Sequence, residues 1–334
     1  MNAVDLEQDT RLDLVRDWLD AQGLGGCELE PASSDASFRR YFRVTHSGGS
    51  LIVMDAPPER EDVRPWLRMA RRLREIGVNA PEVQVADEER GLVLMSDLGG
   101  RSYLAELNED TVERLYGDAL AALNVIQVCG PGAGELPDYD RALLMEEMAL
   151  FRDWLVERRL GFELEPGERA RLDEAFEALA DAALEQPRVC VHRDYHSRNL
   201  MVTERHSPGV LDFQDAVFGP VTYDLVSLLR DCYIAWPRER VEDWALGFHE
   251  LAVQSGTLRE GEVDEQQFLR WFDWMGVQRH LKAAGIFARL DLRDGKPGYL
   301  KDIPRTLGYV IEVAGRYPEL EWLGGFAERV RAGI

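Results

Sequence analysis

The sequence predicts an α+β protein with two lobes: a small antiparallel-sheet lobe with one main helix at residues 1–98, and a larger, mostly helical lobe at residues 99–334. The first observation is length, because 334 residues suffice for two units of ordinary domain size. The second is a change of pattern, since strand-like runs dominate the first hundred residues and helical periodicity dominates after Arg101. The third is the pair Gly99 and Gly100 between the two patterns, which predicts a hinge near residues 96–100.

Short apolar runs separated by turn residues define the elements of the small lobe. Apolar residues at helical spacing predict an opening helix that starts near Leu12 and ends near Gly23. The Ser-Gly-Gly sequence at 47–49 predicts a hairpin turn between two strands. The predicted strands are 27–30, 40–45, 50–54, 82–86 and 92–95, with the main helix at 62–76 between the third and the fourth.

The large lobe shows helical periodicity that is interrupted once by strands. An apolar strand at 188–191 leads into a polar loop, and two further strand-like pieces flank Leu200 and Leu211. Helices are predicted on either side, at 109–128, 140–160 and 167–186 and again from residue 222 onward. Breaks in the last helical region are predicted at Pro237, 256–261, 295–298 and Pro318.

Composition argues against several classes of protein. Lys and Arg number 39 against 61 Asp and Glu, and the formal net charge of −22 argues against a nucleic-acid partner. The four cysteines are scattered without a Cys-x-x-Cys pair, which disfavours a zinc site and a dense disulfide framework. The acidic N-terminus does not resemble a signal peptide, and no apolar run approaches the ~18 residues of a membrane span. We therefore expect a cytoplasmic protein without a membrane partner, and a monomer is favoured.

One polar loop carries most of the chemistry that the sequence predicts. A strand leads into His192-x-Asp194, Asn199 follows five residues later, and Asp212 follows the next strand-like piece. The two carboxylates and the amide oxygen then converge at one loop face, and such hard oxygen ligands suit Mg²⁺. Phosphotransferases of the protein-kinase type use the same order of residues. We therefore predict that Asp194 accepts the proton of a substrate hydroxyl, with His192 as organiser of this catalytic loop, and that Asn199 and Asp212 bind Mg²⁺.

The chain resembles the aminoglycoside-phosphotransferase and choline-kinase family over nearly its whole length. The resemblance rests on residues 33–44, 92–100, 191–200 and 219–225, the last of which reads Gly-Pro-Val-Thr-Tyr-Asp-Leu. It implies a protein-kinase-like fold and the use of ATP and Mg²⁺. Longer strings are similar to bacterial kinases that phosphorylate the anomeric hydroxyl of N-acetylmuramate and N-acetylglucosamine: 34–41, 53–59, 192–201 and 278–290. That similarity implies peptidoglycan recycling, in which the sugar 1-phosphate feeds a nucleotidyltransferase toward UDP-N-acetylmuramate.

The nucleotide-binding region departs from the kinase pattern. Where a glycine-rich loop is expected the sequence is rich in serine, and we predict that Ser34 and Ser37 contact phosphate. Where the following strand should supply a phosphate-binding lysine it has Met54, and no lysine occurs before position 282. Arg39, Arg40 and Arg43 are therefore the candidates to supply the charge, with Arg40 on one face of a strand and Arg39 and Arg43 on the other, and a solvated edge strand is the alternative.

The strand at 92–95 and the hinge are predicted to bind the adenine. Met95, Asp97 and Leu98 lie there, and the backbone of residues 96–98 would pair with the edge of the base, while the Asp97 carboxylate bonds locally. After Asp212 the sequence continues Phe-Gln-Asp rather than Phe-Gly. The aspartate of this Phe-Gln-Asp string, Asp215, is either a further group of the metal or phosphate site or a carboxylate that caps the loop.

Substrate recognition is assigned to the catalytic loop and to a late helix. Asp194, His196 and Arg198 are predicted to contact the sugar from the loop. On the helix, Gln278 and Arg279 are polar residues among apolar neighbours and need partners, and Arg279 would pair with a lactyl carboxylate. Three aromatic residues of the same helix are predicted to belong to the core: Trp271, Phe272 and Trp274.

The sequence therefore predicts an ATP- and Mg²⁺-dependent kinase whose partners are a small sugar and Mg-ATP. Two alternatives stay open at this point. One is another hydroxyl-bearing substrate in the same fold, such as an aminoglycoside, choline or homoserine. The other is a pseudokinase or nucleotide-binding module that has lost its strand lysine, although the complete Asp194, Asn199 and Asp212 set argues against it.

Overall fold

The computed structural model describes residues 10–33 and 38–334. Its N-terminal part contains a five-stranded antiparallel sheet in the order β1-β2-β3-β5-β4. The strands are β1 (Leu29–Ser33), β2 (Arg40–His46), β3 (Gly49–Asp55), β4 (Val83–Asp87) and β5 (Leu92–Ser96). Helix α1 (Thr10–Ala21) precedes the sheet, and helix α2 (Val63–Glu75) connects β3 to β4. The predicted antiparallel sheet, the opening helix and the inserted main helix are all confirmed.

The two faces of this sheet have different partners, because side chains alternate along a strand. On one face, Phe42 and Val53 belong to a small hydrophobic cluster that also contains Trp18 of α1. On the other face, Tyr41 and Ile52 line a large cavity. The hairpin of β2 and β3 therefore separates a purely structural surface from a surface that is open to a ligand.

The C-terminal part is mostly helical and is organised around one long central helix. The helices are α3 (Tyr103–Glu106), α4 (Val112–Cys129), α5 (Arg141–Leu150), α6 (Pro166–Leu184), α7 (Tyr223–Leu229), α8 (Arg238–Gln254), α9 (Glu265–Asp294), α10 (Ile303–Ala314) and α11 (Glu321–Ala332). Helix α9 packs against α5, α6, α7, α8 and α10. It is buried around most of its circumference, as expected for a helix with neighbours on several sides. Its Trp271, Phe272 and Trp274 are buried in the core, as predicted.

Helix α5 continues directly into a π-helical segment, Phe151–Arg159, where the sequence predicted one helix over 140–160. Helix α9 crosses this junction at Gly285. A Cβ atom at Gly285 would lie 2.3 Å from the carbonyl carbon of Leu150 and 2.4 Å from the backbone nitrogen of Phe151. Only a residue without a side chain permits this approach of two helix backbones.

Two pairs of short antiparallel strands hold the loops that carry the predicted chemistry. Strand β6 (Arg188–Val191) pairs with β9 (Val217–Pro220), and β7 (Leu200–Met201) pairs with β8 (Gly209–Val210). The ends of these strands bring the loop after β6 and the loop after β8 to one place. In the part of the chain that the structure describes, no helix combines the length and the apolar character needed to cross a membrane.

Candidate active site

A cavity of about 840 Å³ lies between the sheet and the helical part of the chain. Strands β2, β3 and β5 supply one wall, and the loops after β6 and β8 supply the other together with α9. Asp194, Asn199 and Asp212, which the sequence predicts to act together, all line this cavity. The fold therefore gathers them at one surface although they come from two separate loops.

The loop that contains Asp194 is held by buried carboxylates. Asp224 at the start of α7 accepts hydrogen bonds from the backbone N–H groups of His192 (2.6 Å) and Arg193 (2.9 Å). These bonds support Arg193 at a φ of 76°, a left-handed conformation that is unfavourable for a residue with a side chain. Asp231 accepts a hydrogen bond from the backbone N–H of Ser197 (3.0 Å) in the same manner. The backbone of the loop is thus fixed by groups that do not contact the cavity.

His192 organises this loop from within the core. Its side chain is completely buried, and its Nδ1 accepts a hydrogen bond from the backbone N–H of Asp194 (3.2 Å). Burial lowers the pKa of His192 to about 4, so the ring is neutral at pH 7. It does not line the cavity, so His192 is not among the groups that a substrate would contact, and it reaches the site through its hydrogen bond with the backbone N–H of Asp194.

Asn199 connects the three predicted residues. Its Nδ2 donates to the backbone carbonyl oxygen of Asp194 (3.0 Å) and to Oδ2 of Asp212 (3.2 Å). Gln214 Nε2 then donates to Oδ1 of Asp212 (2.9 Å) and to Oδ2 of Asp215 (3.1 Å). The side-chain oxygens of Asn199 and Asp212 are hard donors at adjacent positions, and they fit a Mg²⁺ ion that takes its other ligands from water and phosphate.

The carboxylate of Asp194 is kept ionised by neighbouring cations. Burial alone would raise the pKa of this group, but the positive charges of Lys282 and Arg193 outweigh burial and hold it below its usual range. An ionised carboxylate in this position can accept a hydrogen bond from an alcohol and then its proton.

Comparison with known proteins identifies the kind of enzyme. Over residues 28–261, more than two thirds of the chain, the sequence matches the family described as "Phosphotransferase enzyme family". The chain belongs to this family. Two curated relatives, each named N-acetylmuramate/N-acetylglucosamine kinase, are similar over nearly the whole length: one from Pseudomonas putida is 44% identical over 98% of both chains, and one from Pseudomonas aeruginosa is 46% identical over 96% of both.

Solved structures of other phosphotransferases share the fold. A choline kinase from Streptococcus pneumoniae matches with a TM-score of 0.61 at 10% identity, covering 89% of this chain and 97% of that chain. An ADP-bound aminoglycoside phosphotransferase matches with a TM-score of 0.59 at 13% identity, with the same coverage. The predicted protein-kinase-like fold and the family resemblance are thereby confirmed.

In this phosphotransferase, two arginines of the β2 region line the nucleotide side of the cavity. Arg39 Nη2 lies 3.5 Å from Oδ1 of Asp212, so its guanidinium reaches a predicted metal ligand. Arg43 donates from Nε to Oδ2 of Asp97 (2.6 Å) and from Nη2 to the carbonyl oxygen of Gly99 (3.2 Å). Arg43 is therefore placed beside the predicted hinge and Arg39 beside the predicted metal site.

Arg40 lies on the opposite face of β2 and does not line the cavity. Its Nε donates to Oδ2 of the fully buried Asp55 (3.0 Å), a carboxylate that also accepts a hydrogen bond from Arg11 Nε (2.9 Å). The Arg40 guanidinium also lies 5.6 Å from the ring centre of Phe42. This placement contradicts the prediction that Arg40 contacts nucleotide, because strand alternation directs it to the α1 side, where a buried carboxylate needs a cation.

The predicted adenine-binding residues surround the start of the hinge. Met95, Asp97 and Leu98 all line the cavity. The Asp97 carboxylate accepts hydrogen bonds from the backbone N–H of Gly99 (2.8 Å) and the hydroxyl of Ser50 (2.7 Å), which is the local bonding that the sequence indicates. Burial acts against ionisation of Asp97, but the Arg43 guanidinium and these hydrogen bonds hold the pKa of Asp97 below its usual range.

The position of the missing strand lysine is closed to solvent. Met54 is fully buried in the main hydrophobic core, so a charge at this position would have no access to the cavity without rearrangement. Arg39 instead brings positive charge to Asp212 from the chain that precedes β2. The predicted phosphate contacts Ser34 and Ser37 lie outside the described residues.

Aromatic rings and two predicted loop residues form the other end of the cavity. The Arg198 guanidinium lies 3.7 Å from the ring centre of Tyr233 and 5.2 Å from that of Tyr299. His196 packs edge-on against Tyr233 with 5.4 Å between ring centres, and burial lowers its pKa. All four residues line the cavity, so the structure brings His196 and Arg198 to the place where a substrate would lie.

Helix α9 adds positive charge to the same end. Arg279, Lys282 and Arg289 line the cavity and lie on one helix face, because they are three and ten residues apart. Arg279 is buried, and its Nη1 contacts the weak acceptor Sγ of Cys232 at 3.8 Å. Among the described residues, 10–33 and 38–334, no carboxylate forms an ion pair with Arg198, Arg279 or Arg289. The helical spacing from Arg279 could have revealed Lys282 and Arg289, which the sequence analysis missed together with Tyr233 and Tyr299.

Gln278 does not line the cavity. It precedes Arg279 by one residue and therefore points about 100° away around the helix. Its Nε2 donates to Oη of Tyr139 (3.2 Å) and to Oε2 of Glu147 (3.3 Å) inside the core. This contradicts the prediction that Gln278 binds substrate: the polar side chain does require partners, but it finds them in the protein.

Proposed function

We propose that this phosphotransferase transfers the γ-phosphate of ATP to the anomeric hydroxyl of N-acetylmuramate and N-acetylglucosamine. The observation that carries the proposal is the charge of the substrate end of the cavity. Arg198, Arg279 and Arg289 lie there without carboxylate partners in the described part of the chain. Cations of this kind repel a polycationic aminoglycoside or the quaternary ammonium of choline, attract an anionic sugar and do not repel a neutral one. The names of the two Pseudomonas relatives support the same substrates.

Asp194 orients the anomeric hydroxyl and accepts its proton as the hydroxyl oxygen attacks the γ-phosphorus. The geometry that supports this role is the fixed loop backbone and the ionised state of the carboxylate beside the cavity. Asn199 and Asp212 hold Mg²⁺, which when bound neutralises charge on the β- and γ-phosphates. Arg39 adds a positive charge at the same place from the sheet side.

Arg279 binds the lactyl carboxylate that distinguishes N-acetylmuramate from N-acetylglucosamine. In the part of the chain that the structure describes, the buried guanidinium of Arg279 has only the Cys232 thiol as an acceptor, so it has donors available for a bidentate pair with a carboxylate. Burial lowers the pKa of Arg279, but nearby acidic groups outweigh it, so the guanidinium stays charged. His196 and Arg198 contact the sugar ring and its hydroxyl groups from the catalytic loop.

In this proposal the nucleotide lies against the wall of the cavity that strands β2, β3 and β5 form. Met95 and Leu98 contact the adenine, the backbone of residues 96–98 pairs with its edge, and Ser34 and Ser37 contact phosphate. Asp97 positions Arg43 beside this site rather than contacting the base itself. In this proposal the chain divides into lobes at residues 98 and 99, and the hinge lies near residues 96–100.

The proposed product is a sugar 1-phosphate. A group-transfer enzyme that joins a sugar 1-phosphate to a nucleotide must consume it, which places this chain before a nucleotidyltransferase on the way to UDP-N-acetylmuramate. We place the reaction in the cytoplasm, where ATP is available, and expect the chain to act as a monomer.

The test is a coupled ADP-release assay of the full chain with N-acetylmuramate, N-acetylglucosamine, choline and kanamycin. We expect turnover with the two N-acetyl sugars only, together with loss of reducing-sugar signal, because phosphorylation at the anomeric carbon removes the reducing end. Asp110→Asn, at an exposed position outside the cavity, serves as the control for variants of the active site. Turnover of kanamycin or choline without the sugars would refute the proposal, and nucleotide binding without any turnover would identify a pseudokinase.

A further inference from the structure

A buried cluster of charges lies directly behind Asp194. Glu147 of α5 is almost fully buried and pairs with two cations, the guanidinium of Arg193 and the ammonium of Lys282, whose Nζ lies 2.9 Å from Oε1 of Glu147. The hydroxyl of Tyr139 donates to the same carboxylate. Of these groups, Lys282 and Arg193 have so far been described only as charges that keep Asp194 ionised, and Lys282 also lines the cavity.

The cluster forms a closed ring of contacts with the catalytic loop. Lys282 Nζ donates to the hydroxyl of Tyr223 at 2.9 Å, and the next residue, Asp224, accepts a hydrogen bond from the backbone N–H of Arg193 at 2.9 Å. Arg193 is therefore held twice, through its side chain by Glu147 and through its backbone by Asp224. Because Arg193 has a φ of 76° and directly precedes the catalytic carboxylate, any relaxation of this residue would rotate the carboxylate.

The charges of the cluster indicate why Lys282 is present. Arg193 alone balances Glu147, so Lys282 leaves one positive charge in excess within the buried group. A buried ammonium without a compensating anion is unfavourable, and the charge of ionised Asp194 supplies that compensation. An ammonium also has three N–H donors. Glu147 and Tyr223 accept two of them in the described part of the chain, and Lys282 lies at the cavity surface.

We propose that Lys282 is a positioning residue for phosphoryl transfer, which together with Glu147 fixes Arg193 and thereby the orientation of the Asp194 carboxylate. The inference rests on the proposed role of Asp194 as the group that accepts the hydroxyl proton. It does not depend on which sugar is the acceptor, because the ring of contacts lies on the protein side of Asp194.

The test compares Lys282→Met, Lys282→Arg and the control Lys301→Met by steady-state kinetics, using the acceptor that the wild-type chain turns over fastest in the screen above. Lys301 is exposed and lies outside the cavity. We expect Lys282→Met to lower kcat by about 10²-fold, the effect of a misplacement near 1 Å, while the KM for Mg-ATP changes less than about threefold. Lys282→Arg is expected to recover about tenfold of the lost kcat, and Lys301→Met should match the wild type.

A double variant separates positioning from stability. If Lys282 and Glu147 act as one unit, Glu147→Gln combined with Lys282→Met should lower kcat by about the same factor as Lys282→Met alone. An unchanged kcat in Lys282→Met would overturn the proposal. The proposal would also be overturned if Lys282→Met and Lys282→Arg lost the same amount of kcat and the same amount of thermal stability, because a purely structural lysine would give that result. Failure of both N-acetyl sugars in the screen would refute the proposed substrate and leave this comparison valid with the true acceptor.

Discussion

Replacing Arg279 by methionine is expected to separate the two proposed substrates. Methionine keeps the unbranched apolar stem of arginine but lacks the guanidinium, and no carboxylate of the described chain loses an ion-pair partner as a result. N-acetylmuramate would lose a charge-assisted pair with its lactyl carboxylate. N-acetylglucosamine has no carboxylate at that position, so the substitution should leave its turnover nearly unchanged.

The size of the effect follows from the burial of the site. Only 6% of the Arg279 surface is exposed, so a pair formed there is poorly screened by water and salt. Hydrogen bonds to charged groups contribute about 1.5–3 kcal/mol, which corresponds to a fall of about 10- to 150-fold in kcat/KM for N-acetylmuramate. The measurement is the ratio of kcat/KM for the two sugars, with Lys301→Met, at an exposed position outside the cavity, as the control. An equal fall for both sugars, or an unchanged ratio, would refute the assignment of the carboxylate to Arg279.

Three further outcomes are expected. Asp194→Asn should lower kcat by about 10²- to 10⁴-fold, and titration calorimetry should find Mg-ATP affinity unchanged; weaker binding would instead make Asp194 a metal ligand. Gly285→Ala places a Cβ 2.3 Å from the Leu150 carbonyl carbon and should lower the free energy of unfolding, measured by urea denaturation, by about 1–3 kcal/mol. The control is Gly276→Ala, whose Cβ would lie 3.6 Å from its nearest neighbour and should leave the free energy of unfolding unchanged. Burial lowers the pKa of His280 to about 3, so between pH 6.5 and 3 only the unfolded state binds the proton, and stability is lost as the pH falls. His280→Gln should therefore reduce the slope of unfolding free energy against pH in this range by about 1.4 kcal/mol per pH unit, and an unaltered slope would contradict this.

Local patterns in the sequence were sufficient to predict most of the strands and the catalytic loop, although β1 lies at 29–33 rather than 27–30 and β9 was not predicted. The strand at 188–191 has the predicted bounds because an apolar run with turn residues on both sides leaves few other structures open. Asp194, Asn199 and Asp212 meet as expected, since each follows or precedes a short strand and the strand pairs fix where the loops end. Information of this kind lies within a few residues along the chain.

The errors concern directions that depend on packing with distant elements. Strand alternation placed Arg40 and Arg43 on opposite faces, but only the position of α1 decides which face meets the cavity. Gln278 and Arg279 are adjacent on a helix that is buried on nearly all sides, so the sequence did not indicate which of the two faces the cavity. The pair of Glu147 with Lys282 spans two helices that are far apart in sequence, and no local pattern marks it.

The distribution of charge has a consequence for the rate at which substrates arrive. A net charge of −22 produces a field that opposes the approach of ATP and of an anionic sugar over about one Debye length, near 8 Å at physiological ionic strength. Added salt screens that field, but it acts much less on a guanidinium that lies buried inside the cavity. Moderate salt should therefore speed association of N-acetylmuramate and leave association of the uncharged sugar nearly constant. The enzyme would then discriminate N-acetylmuramate from N-acetylglucosamine after the sugar has entered the cavity. The difference would lie in the dissociation rate of the bound complex rather than in the association rate.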